Sequence, residues 1–89
     1  MAEITVTPLD PERFRVVVAE EGSSTQHEVS VSAADLRRLG DGYGSPEAFV
    51  RACFVFLLQR EPKESILRSF DVRVIGRYFP EFEAAIRPA

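Results

Sequence analysis

The 89-residue sequence predicts an α+β fold: a three-stranded antiparallel β-meander, then a short helix, a central apolar helix and a C-terminal helical segment. Three observations predict it. Apolar residues alternate with period two through the first third of the chain. From about residue 36 onward they recur at three- and four-residue steps instead. Turn and cap residues fall at the junctions.

In the first expected strand Ile4, Val6 and Pro8 lie on one face, with Glu3, Thr5 and Thr7 on the other. In the second, Phe14, Val16 and Val18 alternate with Arg13, Arg15 and Val17. In the third, His27, Val29 and Val31 alternate with Gln26, Glu28 and Ser30. Runs of β-branched residues with this period suit half-buried strands. Asp10-Pro11-Glu12 supplies the first reversal, because proline's fixed φ suits the second position of a type I turn. Glu20 to Ser24, with Gly22 inside it, supplies the next. Short loops favour antiparallel neighbours.

A sheet with one apolar face needs a cover. Ser32-Ala33-Ala34-Asp35 has a capping-box pattern and starts a short helix that places Leu36 and Leu39 together and stops at Gly40. Ser45-Pro46-Glu47 is the strongest local signal: a cap, a proline at the first helical position and an acid at the positive helix end. The helix it opens runs to about Gln59 or Arg60. Ten of the eleven residues from Ala48 to Leu58 are apolar, and a helix apolar nearly all round is buried nearly all round. Something must cover the side facing away from the sheet.

From Pro62 the apolar positions Ile66, Leu67, Phe70, Val74, Ile75 and Tyr78 favour a further helix, interrupted near Ser69–Asp71. Val72-Arg73-Val74 also fits a short strand. Phe79-Pro80 ends this segment, and a last short helix spans Pro80 to Ile86.

The length suits one domain over residues 1–89. The composition, 45% hydrophobic and 28% charged, excludes disordered and collagenous classes. One cysteine excludes a disulfide framework, and one histidine excludes most zinc sites. Net charge is −3, divided as −4 over residues 1–44 and +1 over 45–89, so no chain-wide basic field is present. The acidic start leads into an alternating segment, so no signal peptide is expected. The longest uninterrupted apolar block, Ala52 to Leu58, is too short to span a bilayer. A lone thiol and no export signal point to the cytoplasm.

The chemistry-bearing residues are few. His27 has no nucleophile at a recognisable spacing, and Cys53 sits in the apolar helix, where a thiol behaves as a small hydrophobe. Gly40, Gly42 and Gly44 precede a helix start, but no Lys-Ser/Thr pair follows, so a connector fits better than a phosphate loop. No cofactor, metal or small-molecule ligand is indicated.

Two features invite a partner. Arg60, Lys63, Arg68, Arg73 and Arg77 face only three acids across residues 60–77. On a continuous helix Glu64 and Arg68 would pair. Tyr78, Phe79 and Phe82 concentrate aromatics within five residues, and aromatics with arginine dominate interface hot spots. The expected function is a non-enzymatic protein-interaction module, a homodimer or a subunit of a larger complex. Its candidate contact residues are Arg68, Arg73, Arg77, Tyr78, Phe79 and Phe82. A small nucleic-acid-binding regulator using the same arginines is the alternative. Enzymatic activity ranks last.

Overall fold

Alternation becomes pairing in the first thirty residues. In the computed structural model, which describes residues 2–87, strand β1 (Glu3–Asp10) pairs antiparallel with β2 (Arg13–Glu20), and β2 with β3 (Ser23–Ser30). The registers place Val6 opposite Val16, and Val16 opposite His27. Phe14, Val16, Val18, His27 and Val29 are buried on one face, while Arg15 and Gln26 point to solvent. The β2–β3 reversal is a two-residue loop in which Glu21 and Gly22 both have positive φ, 56° and 78°. That is the type I′ geometry, whose twist matches that of the flanking strands.

Helix α1 (Ala33–Gly40) begins where Ser32 accepts a hydrogen bond from the Asp35 amide. Gly40 is needed for close approach: a Cβ there would stand 3.1 Å from Phe49 Cγ. Helix α2 (Pro46–Leu58) begins on Ser45, whose hydroxyl accepts from the Ala48 amide at 3.1 Å, with Pro46 in its first turn.

The expectation of a helix from Pro62 is corrected. Lys63–Ser65 form a single 3-10 turn, the chain then extends, and Ser69–Asp71 form a short strand, β4, parallel to β3. The expected antiparallel meander β1-β2-β3 is present, and β4 extends it to a four-stranded mixed sheet in the order β1-β2-β3-β4. The cause is non-local. The outer edge of β3 carries backbone groups that need partners. The Glu28 amide donates to the Arg68 carbonyl at 2.8 Å, and the Val72 amide donates to the Ser30 carbonyl at 2.9 Å. Nor does a strand form at Val72-Arg73-Val74: it lies three residues earlier, and Val72 stands at the N-cap position of helix α3 (Arg73–Tyr78). Helix α4 (Phe82–Ile86) follows, as expected.

The far side of α2 is covered by its own chain. Phe56 meets Phe82 and Phe79 at ring-centroid distances of 5.1 and 6.0 Å, and Phe49 meets Tyr43 at 5.7 Å. The Tyr43 hydroxyl donates to the Ile86 carbonyl, which ties the α1–α2 link to the end of α4. Phe49, Phe54 and Phe56 are buried, and only Val55 on this helix is a well-exposed large apolar residue.

Candidate functional site

The cover over α2 leaves a groove beside it. Leu57 of α2, Ile66 and Leu67 of the extended connector, Phe70 of β4, and Val74 and Tyr78 of α3 line it, with Glu61 and Ser65 as its polar members. Its volume is about 220 Å³. Leu67 and Tyr78 stand on its rim, 47% and 67% exposed, the most exposed large apolar side chains among the described residues. The groove exists because the connector is not helical. A 3-10 turn followed by extended chain carries Leu67 outward while Ile66 turns into the core.

His27 holds that connector in place. It is buried, with Nδ1 2.7 Å from the Leu67 carbonyl oxygen and Nε2 2.8 Å from the Thr25 hydroxyl. The carbonyl can only accept, so Nδ1 carries the proton and, in the neutral ring, Nε2 accepts from Thr25. The ring also packs on Phe54 at 5.3 Å. The imidazole is thus a structural tie, with both nitrogens engaged. Burial pushes the Cys53 thiol well above its ordinary range, away from the reactive thiolate. No three metal-ligating side chains gather among the described residues.

The six expected contact residues do not form one surface. Tyr78 lines the groove and is exposed. Phe79 is half-buried between the groove and Phe56. Phe82 is 1% exposed and belongs to the core. Arg68 is exposed at the start of β4, and its carbonyl serves β3. Arg77 is exposed on α3, with no ion pair among the described residues. Arg73 is held by Asp71 at 2.9 Å and lies 3.7 Å from Asp35.

The basic stretch is largely neutralised. Arg60 pairs with Glu81 at 3.0 Å and lies 3.6 Å above the Phe56 ring, a cation–π contact that seals the core edge. Lys63, with its side chain buried, pairs with Glu64 at 2.9 Å, and because residues 64–68 do not form a continuous helix the Glu64–Arg68 pair expected on one does not form. Arg68 and Arg77 are the cations of this stretch left without a carboxylate among the described residues. Sequence reasoning missed Leu67 and Val74 as surface-forming residues. Their apolar type was visible, but their exposure depends on the connector's non-helical path.

No protein-family model, no curated protein and no solved structure matches the chain. No helix among the described residues is long and apolar enough to cross a membrane.

Proposed function

We propose that the chain is a small non-enzymatic protein-interaction module, acting as a homodimer or as a subunit of a larger complex. The groove beside α3 is its contact surface for another protein. One observation carries this reading: Leu67 and Tyr78, two large side chains that burial would favour, both line one largely apolar groove and both stand exposed. A groove of about 220 Å³ suits roughly one large apolar side chain from a partner, the anchor-in-pocket arrangement of interface hot spots. The buried thiol and the doubly engaged His27 support the non-enzymatic part. The lone thiol suits a cytoplasmic setting.

Photo-crosslinking tests it. A benzophenone amino acid replacing Tyr78 is expected to capture a protein in cells, with a parallel substitution at exposed Arg15 as control. Leu67→Asp in the same background should abolish the adduct while the circular dichroism spectrum stays unchanged. Absence of an adduct specific to the Tyr78 position would remove the groove as a contact surface.

A further inference from the structure

The free edge of β1 is self-complementary. In the β2–β3 hairpin, the type I′ loop makes Glu20 and Ser23 a hydrogen-bonded pair. Antiparallel pairs alternate between bonded and non-bonded, so Val18, Val16 and Phe14 direct their backbone groups to β3. Ala19, Val17 and Arg15 therefore direct theirs to β1, where they meet Glu3, Thr5 and Thr7. Ile4, Val6 and Pro8 are left with their backbone groups pointing away from the sheet. The Arg51 guanidinium confirms this orientation, since its Nε and Nη2 atoms reach the Ile4 carbonyl from α2 at 3.3 Å.

Between Ile4 and Pro8, where the register is regular, the edge presents five polar sites: the Ile4 amide, the Ile4 carbonyl already held by Arg51, the Val6 amide and carbonyl, and the Pro8 carbonyl. Proline contributes no donor. We infer that the partner for this edge is a second copy of the chain, with β1 paired antiparallel across a two-fold axis at Val6. In that register the two Val6 residues exchange amide and carbonyl. Each Ile4 amide donates to the opposite Pro8 carbonyl. The donor that Pro8 lacks would have faced the Ile4 carbonyl, the one acceptor that Arg51 already satisfies. No polar site between Ile4 and Pro8 is left over.

The side chains agree. On the core face, half-exposed Val6 meets its own copy and Ile4 meets Pro8; on the solvent face, Thr5 meets Thr7, a favourable cross-strand pair. The register of β1 on β2 is regular as far as Pro8 and shifts between Pro8 and Asp10, so the facing pairs run from Ile4 to Pro8, where no residue is charged. Edge strands that avoid pairing usually carry charge. The stretch from Ile4 to Leu9 carries none. Pairing would join two four-stranded sheets into one continuous sheet. This contact deepens the interaction reading by naming a partner and a surface, and it is separate from the groove.

Light scattering during size-exclusion chromatography tests it with the full chain. The mass is expected to rise from that of the 10.0 kDa monomer towards twice that value as concentration increases to about 1 mM. Val6→Pro removes a donor that serves no bond within the chain and should keep the mass at one copy. T5K/T7K, which leaves the core untouched, opposes like charges across the axis and should do the same. T5K/T7E opposes unlike charges in this register alone and should restore the dimer. A wild-type chain that stays at one copy throughout would overturn the inference. So would a dimer that survives both Val6→Pro and T5K/T7K, or a T5K/T7E chain that stays monomeric. A dimer lost on Tyr78→Asp but kept in Val6→Pro would place self-association in the groove, overturning the edge while leaving the interaction module intact.

Discussion

The Nδ1 atom of His27 lies 2.7 Å from the carbonyl oxygen of Leu67, forty residues further along the chain. This bond joins β3 to the connector just before β4 begins, and it holds Leu67, which lines the groove. The Glu28 amide bonds to the Arg68 carbonyl beside it, so the two contacts act as a clasp. His27→Leu keeps apolar packing against Phe54 but removes both ring hydrogen bonds. A loss of roughly 1–3 kcal/mol is expected from the denaturant midpoint. Amide exchange at Glu28 should accelerate far more than at Val17, whose backbone groups face β1 on the other side of β2. Uniform acceleration would show that the clasp is not local.

Tyr78 and Phe82 are four residues apart, yet one is 67% exposed and the other 1%. Phe82 sits edge-on to Phe56 and closes the far side of α2. Phe82→Ala opens a cavity there and is expected to cost about 3–5 kcal/mol. Tyr78→Ala removes a rim side chain and should change stability by less than about 0.5 kcal/mol. Chemical denaturation of the two variants side by side measures the difference. A comparable cost for both would mean that the groove is part of the packed core.

Where a segment's structure depends on its own residues, the sequence was informative. The three strands followed from period two, and the starts of α1 and α2 from Ser32 and Ser45, whose hydroxyls both cap as their spacing implied. β4 was illegible because three residues carry no period, and because its cause is the unpaired edge of β3, forty residues away. Ile66, Phe70 and Val74 fall at four-residue steps, which mimics a helix, although each is placed by a different element. The aromatic cluster was legible as a cluster. Which of its members face inward depends on the break at Pro80, which lets α3 and α4 present different faces to α2.

Asp71 links the end of β4 to the start of α3. Burial raises its pKa, but hydrogen bonds from the Arg73 amide at 3.0 Å, the Arg73 guanidinium at 2.9 Å and the Ser30 hydroxyl at 2.9 Å outweigh it. The net result is a carboxyl held below its ordinary value of 3.8. A group whose folded pKa is depressed stabilises the fold above the unfolded value, and that contribution is lost as pH falls through the folded one. Stability should therefore decline on acidification below about pH 4. Asp71→Asn should be less stable than wild type at pH 7, and the gap should narrow as the pH is lowered through this window. Urea titrations from neutral pH downward measure it; a gap that stays constant with pH would assign the effect to packing.

Gly40 and Gly76 should respond to the same substitution with opposite signs. Both lie in helices, where replacing glycine by alanine gains roughly 0.5–1 kcal/mol by limiting the unfolded chain. At Gly76 a Cβ meets nothing within 4 Å, so that gain should appear in full. At Gly40 the new carbon would stand 2.9 Å from Leu36 Cδ1 and 3.1 Å from Phe49 Cγ. The leucine end can rotate away. The phenylalanine cannot, because Cγ is the root of a fully buried ring that also packs on Tyr43. Overpacking of this kind costs about 1–3 kcal/mol, and Gly40 ends its helix, so its propensity gain is partial. The net effect of Gly40→Ala is a loss of about 1–2 kcal/mol. For a domain of this size each kcal/mol moves the melting temperature by about 4–8 °C. Thermal melts should show Gly76→Ala above wild type and Gly40→Ala below it. A stabilised Gly40→Ala would mean that α1 can move away from α2, and that the close approach of the two helices is not fixed by Phe49.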